Sequence, residues 1–192
     1  EIHGAKNSVL PILAAALLAP GESVIENCPD LSDVSATLDI LRLLGCRVER
    51  EGDRVAIDAS ILSRCQIPEQ LMREMRSSVI FLGALLARLG EAELFYPGGC
   101  ELGPRPIDLH LAALRALGAE ILEEQGSLCC HQTQTNPAGR EICLSIPSVG
   151  ATENAMLAAC GCESTTTIVG AAREPEIVDL QNFLRSMGAR VS

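Results

Sequence analysis

Three stretches of this chain follow one plan: a leading aspartate, leucines and isoleucines at helical spacing, a glycine, and a run into alternating strand residues. They read DVSATLDILRLLGCRVE from Asp33, DLHLAALRALGAEIL from Asp108 and DLQNFLRSMGARVS from Asp179. Their glycines, Gly45, Gly118 and Gly188, recur at intervals of roughly 70 residues, each where a helix ends on a residue of positive φ. The acid at the front of each suits the positive end of a helix dipole. A chain written this way is built from copies of one supersecondary unit.

A second set of helices interleaves with the first: NSVLPILAAALLA from Asn7, MREMRSSVIFLGALLARLG from Met72 and SVGATENAMLAACGC from Ser148. These are apolar almost all round, the pattern of helices buried on every side. Strand candidates follow them, ESVIENCP from Glu22, EAELFYP from Glu91 and STTTIVGAA from Ser164, and EICLSI from Glu141 precedes the last helix. The segment RVEREGDRVAID from Arg47 adds a hairpin. The expected fold is α+β, one domain of three βαβαββ-type repeats packed around buried helices, an inside-out α/β barrel. The repeats run about 1–65, 66–138 and 139–192. Both ends read as cut: only Glu1, Ile2 and His3 precede the first helix, and the third repeat stops at Val191 and Ser192. A domain excised from a longer polypeptide is expected, with closing strands elsewhere.

Composition narrows the function. Hydrophobic residues make up 47% of the 192 and charged residues 21%, enough apolar material for a core. One Tyr, three Phe and no Trp leave that core to Ala, Leu, Ile and Val, and leave almost nothing on which nucleic-acid bases could stack. The net charge of −10 repels phosphate backbones and anionic membranes, so an anionic ligand must meet a local basic site. No nucleic-acid or membrane partner is expected. Nine cysteines, an odd number scattered through hydrophobic runs, read as reduced thiols filling core gaps in a cytoplasmic protein. The longest apolar run, Val9 to Ala19, is too short to span a bilayer and lacks a charged leader. Cys129-Cys130-His131 and Cys160-Gly161-Cys162 do not have the spacing of zinc ligands, and no metal is expected.

The loop from Tyr96 to His110 holds the densest chemical signal. Gly98, Gly99 and Gly103 free its backbone, Pro97, Pro104 and Pro106 restrict it, and Cys100 sits among them, the composition either of an active-site lid or of an ordinary turn. Arg105 lies just ahead of the helix at Asp108, where unpaired N–H groups favour an anion; it completes a phosphate or carboxylate site or pairs with Asp108 or Glu101. Lys6 is a cation at the positive end of another helix, a placement that an anionic ligand or simple solvation would relieve. Arg76, in an otherwise apolar helix, needs a ligand or a partner such as Glu74. Ser148 to Thr152 is a diphosphate seat or an N-cap, and Arg173 to Asp179 reads as a charged capping loop.

Taken together, Gly4-Ala5-Lys6-Asn7, Met75-Arg76-Ser77-Ser78, PGGCELGPRPIDLH from Pro97, SVGATEN from Ser148 and AREPEIVDL from Ala172 resemble the UDP-N-acetylglucosamine 1-carboxyvinyltransferases, from end to end of the chain. The sister enzymes acting on shikimate 3-phosphate share the repeated fold but lack the PGGC loop. The resemblance implies transfer of the enolpyruvyl group of phosphoenolpyruvate to the 3-hydroxyl of UDP-N-acetylglucosamine with release of phosphate, without metal or organic cofactor. It implies that Cys100 is the thiol that protonates or traps the enolpyruvyl carbon, and that Lys6 and Arg105 hold phosphoenolpyruvate. By the same likeness Asn7 positions the sugar nucleotide and the intermediate, Arg76 helps to bind them, and Arg105, Pro106, Ile107, Asp108 and Leu109 meet the nucleotide together with Ser148, Val149 and Gly150. His3 and Ile146-Pro147 depart from the family pattern. The family has a second domain across the cleft that supplies a catalytic Asp and further Arg residues. This chain corresponds to the inserted domain alone and is expected to be catalytically silent by itself. The competing expectation is a repeat module serving as a binding scaffold.

Overall fold

A computed structural model describes residues 5–74, 78–95, 107–124, 126–133 and 140–192. The chain opens with α1 (Lys6–Ala15), β1 (Glu22–Ile25), α2 (Ser32–Leu44) and the hairpin β2 (Arg47–Glu51) and β3 (Arg54–Asp58). Next come β4 (Gln66–Ile67), α3 (Glu69–Glu74), a 3-10 turn over Ser78–Ile80, α4 (Phe81–Leu89), β5 (Glu91–Phe95), α5 (Asp108–Ala116), β6 (Ala119–Glu124) and β7 (Ser127–Gln132). The remainder is β8 (Glu141–Cys143), α6 (Val149–Ala159), β9 (Thr167–Val169) and α7 (Pro175–Ser186).

The strands form separate sheets. One has the order β1-β3-β2 and is antiparallel throughout, with Ser23 opposite Ile57 and Val48 opposite Ile57 on the other side. A second has the order β4-β5-β7-β6, in which β4 runs parallel to β5 and the rest is antiparallel. A third pairs β8 with β9 in parallel, the same relation that β4 has to β5.

Burial separates the helices into two kinds, as their residues require. In α4 every residue from Phe81 to Leu86 is buried, and in α6 every residue from Ala151 to Ala158, so the bodies of both helices are core and exposure is confined to their ends. The amphipathic α2, α5 and α7 each bury a stripe, as Ile177, Leu180 and Leu184 do in α7, and α1 packs against both α2 and α7. The inner pair α4 and α6 approach backbone to backbone at two glycines, Gly83 within α4 and Gly161 just beyond the end of α6. A β-carbon on Gly83 would lie 2.3 Å from the Asn154 carbonyl oxygen, and one on Gly161 would lie 2.7 Å from the Ala87 α-carbon. Gly45, Gly118 and Gly188 all take positive φ (112°, 91° and 99°), which turns the chain out of an outer helix.

The structure corrects the sequence reading at several points. The helix expected to run unbroken from Met72 is divided into α3 and α4, with the 3-10 turn ahead of α4. At the start of α4, Val79 and Gly83 are spaced as the pair that closes a helical turn. The Asn154 amide bridges them, its Oδ1 accepting from the Gly83 N–H (2.6 Å) and its Nδ2 donating to the Val79 carbonyl (2.9 Å). The last outer helix begins at Pro175, four residues before the expected Asp179, because Pro preorganises the first turn. Asp179 is therefore inside α7, where it accepts a hydrogen bond from Ser8 Oγ at 2.6 Å. Cys143 and Cys160 are exposed, not core filler.

Candidate functional site

The sequence-predicted residues that are described gather at the starts of helices. Lys6 and Asn7 open α1, Asp108 and Leu109 open α5 behind the buried Ile107 at its N-cap, and Val149 and Gly150 open α6 behind Ser148. Arg76, Cys100, Arg105 and Pro106 lie outside the described residues.

Two of these helix starts are brought into one place. Helix α5 packs against α6, and His110 bridges their first turns. Its Nδ1 lies 3.1 Å from Asn154 Nδ2, and the Cε1–Nε2 edge of its ring stands against Gly150, where a β-carbon would come within 3.0 Å of it. Ile107 to Leu109 and Ser148 to Gly150 thus share a wall of backbone N–H groups at the positive ends of two helices, a setting that favours anions. Ser148 caps α6 through its Oγ, which accepts from the Ala151 N–H at 3.4 Å. The N-cap reading of Ser148 therefore holds, and the α5 and α6 starts flank it.

Lys6 belongs to a second neighbourhood. Its ammonium makes an ion pair with Asp33, the acid in the first turn of α2, and the neighbouring Ser8 binds Asp179 of α7. The cation at the start of α1 is compensated from within the chain, so its position alone does not require a ligand. Helix α7 links the two neighbourhoods, since it packs against α1 and also against α6.

Between them sit Thr152, the last residue of the Ser148–Thr152 run, and two residues to which the sequence reading gave no role of their own. Thr152, Glu153 and Asn154 are buried polar residues inside α6. Thr152 Oγ1 accepts from the Ala172 N–H at 3.0 Å, tying α6 to the segment ahead of α7. Loss of water pushes the Glu153 carboxyl up to about 8, with Glu176 nearby adding to the shift, and it pushes the His110 imidazole down to about 4. The available signal was a Glu-Asn pair inside a helix that is otherwise apolar all round.

Among the described residues no group of three or more His, Cys, Asp or Glu side chains could hold a metal ion, and no helix is long and apolar enough to cross a membrane. A cavity of about 190 Å³ opens at the opposite ends of the same helices, lined by Leu86, Gly90, Leu117, Ala158 and Cys162, and it contains none of the predicted site residues.

With this architecture and these helix starts, the chain belongs to the EPSP synthase (3-phosphoshikimate 1-carboxyvinyltransferase) family, whose sequence model matches residues 1–192. Within that family its similarity runs to proteins named UDP-N-acetylglucosamine 1-carboxyvinyltransferase. It is 53% identical over 192 residues to number 2 of that name from Caldanaerobacter subterraneus subsp. tengcongensis, covering 100% of this chain and 46% of the relative. It is 44% identical over 192 residues to that of Psychrobacter sp., covering 100% of this chain and 44% of the relative. Among solved structures, the enolpyruvyl transferase NikO from Streptomyces tendae superposes with a TM-score of 0.84 at 26% identity, over 99% of this chain and 44% of that one. EPSP synthase from Acinetobacter baumannii superposes at 0.72 and 19% identity, over 100% of this chain and 44% of that one, a likeness of fold. The chain spans about half the length of the curated relatives it matches.

Proposed function

We propose that this chain is one half of a UDP-N-acetylglucosamine enolpyruvyl transferase, which moves the enolpyruvyl group of phosphoenolpyruvate to the 3-hydroxyl of the sugar nucleotide and releases phosphate, in the cytoplasmic supply of peptidoglycan precursors. The observation that carries this reading is the 53% identity, over the whole chain, to a relative bearing that enzyme's name. The solved EPSP synthase stands at 19%. The paired starts of α5 and α6 support it, because a diphosphate is the ligand that two converging sets of unpaired N–H groups suit best. In this reading Ile107 to Leu109 and Ser148 to Gly150 seat the nucleotide, and Arg105, Pro106 and Arg76 complete that seat. Lys6 and Arg105 hold phosphoenolpyruvate, Asn7 orients the acceptor, and the Cys100 thiol delivers the proton to the enolpyruvyl carbon. The ion pair with Asp33 gives Lys6 a fixed position from which a phosphate can take over the ammonium. The second half of the polypeptide closes the cleft, and this chain alone turns over neither substrate.

Calorimetric titration of the chain is the test. UDP-N-acetylglucosamine is expected to bind, and Arg105→Ala to weaken that binding roughly tenfold or more, the worth of a hydrogen bond to a charged group. Binding of 3-phosphoshikimate in place of the sugar nucleotide would overturn the reading.

The thiol assignment has its own check. Burial pushes Cys46 up to about 11 and Cys130 up to about 12, and a hydrogen bond to Glu141 raises exposed Cys143, so none of the three presents a ready thiolate. Limited alkylation followed by mass spectrometry is expected to modify Cys100 first. Prior modification of Cys143 or Cys160 would remove Cys100 from its proposed role.

A further inference from the structure

We propose that Asn154 is a positioning residue of this site, acting through His110: its amide holds the imidazole as a neutral ring whose Nε2–H is aimed at the first turn of α6, ready to donate to a phosphate oxygen. This rests on the reading of the α5 and α6 starts as a nucleotide seat. The argument begins with the orientation of the amide, which backbone groups determine. Oδ1 faces the Gly83 N–H at 2.6 Å and Nδ2 faces the Val79 carbonyl at 2.9 Å; turning the amide over would set donor against donor and acceptor against acceptor. Asn154 is fully buried, so water cannot repair such a mismatch.

Nδ2 therefore turns its second proton to His110 Nδ1, 3.1 Å away, and that nitrogen must offer a lone pair. The proton of the neutral ring is left on Nε2. Desolvation holds the imidazole pKa down to about 4, with no charged group among the described residues contributing, so the ring carries no charge near neutrality. Its Cε1–Nε2 edge stands where a β-carbon on Gly150 would come within 3.0 and 3.2 Å, so glycine at 150 is what admits the ring to the helix start. No described residue accepts the Nε2 proton. A directed N–H beside the unpaired N–H groups at the start of α6 recognises an anionic oxygen, and the diphosphate of the proposed ligand supplies one.

The experiment has a protein-only arm and a ligand arm. In the chain labelled with 15N-histidine, His110, assigned by its loss in His110→Phe, is expected to show the Nε2-protonated neutral tautomer from pH 5.5 to 8, about the range over which a ring of pKa near 4 stays neutral. Asn154→Asp retains an acceptor for Gly83 but replaces the donor with a carboxylate oxygen, and the proton is expected to move to Nδ1. In calorimetry with UDP-N-acetylglucosamine, Asn154→Asp and His110→Phe are each expected to weaken binding roughly tenfold. Asn154→Asp is expected to add nothing further in the His110→Phe background. An Nδ1-protonated ring in the unsubstituted chain, or a tautomer unmoved by Asn154→Asp, overturns the proposal. So does an unchanged Kd in His110→Phe, which also carries the ligand arm if Asn154→Asp fails to fold. Failure of the unsubstituted chain to bind the sugar nucleotide overturns the nucleotide reading instead, and the tautomer result then judges the amide on its own.

Discussion

Alanine at position 83 is expected to destabilise the chain by about 2–4 kcal/mol, although alanine is the better helix former by about 1 kcal/mol. The added methyl would sit 2.3 Å from the Asn154 carbonyl oxygen and 2.5 Å from its Oδ1, distances no real β-carbon tolerates. Asn154 has no room to retreat, because it is fully buried and its amide is held by Val79 and Gly83. Two penalties therefore combine: overpacking at the closest approach of α4 and α6, about 1–3 kcal/mol, and loss of the Gly83 N–H from a buried acceptor, about 1–3 kcal/mol. For a chain of this size that lowers the melting temperature by roughly 5–15 °C. Gly52→Ala is the control, since open space surrounds that glycine and only its φ of 63° resists a side chain. Thermal unfolding followed by circular dichroism decides the matter. A Gly83→Ala melting point within a degree or two of the parent, on roughly the scale of a neutral surface change, would mean that the helix crossing is looser than these distances state.

The same crossing shows which features could be read from the chain and which could not. Helix type was legible, because the apolar stripe of α7 and the all-round apolarity of α4 and α6 are patterns of residue order, and so were the turns at Gly45, Gly118 and Gly188. The side-chain bridge at the start of α4 was not. It comes from Asn154, 71 residues beyond Gly83 in the chain, and no local propensity records such a partner. The start of α7 was misplaced because the repeated aspartate outweighed Pro175, the stronger local signal. In the site, Ser148 at an N-cap and Asp108 at a first turn follow from local rules, whereas the pairing of Lys6 with Asp33 depends on how α1 lies against α2. His110, named only as the end of the Tyr96–His110 loop, was given no role for the same reason: its significance lies in Asn154 and Gly150, both on another helix. Core polar residues are long-range information, and buried apolar stripes are local.

Replacing Glu153 with glutamine is expected to stabilise the chain by an amount that grows with pH. Glu153 is 7% exposed within a core helix, and burial, with Glu176 as a second contribution, pushes its carboxyl up from 4.5 to about 8. Because the folded state holds that proton more tightly than the unfolded chain does, stability is full below about pH 4.5 and falls as pH rises toward 8, where the folded carboxyl itself ionises. Near pH 7 the cost is on the order of 3 kcal/mol, from a shift of this size at about 1.4 kcal/mol per unit. Glutamine keeps the shape and removes the charge, so urea unfolding should show the variant and parent matching near pH 4 and separating progressively up to about pH 8. Glu176→Gln should reduce the slope without abolishing it, because desolvation is the larger cause. Parallel stability curves for Glu153→Gln and the parent would show the carboxylate to be solvated or paired when ionised. A carboxyl that resists ionisation lies three positions beyond Gly150 on the helix whose first turn faces His110, so at neutral pH it adds little negative charge where the proposed diphosphate sits. A carboxylate with an ordinary pKa at that depth would repel such a ligand, and the suppressed charge of Glu153 suits the proposed anion-binding wall on an acidic protein.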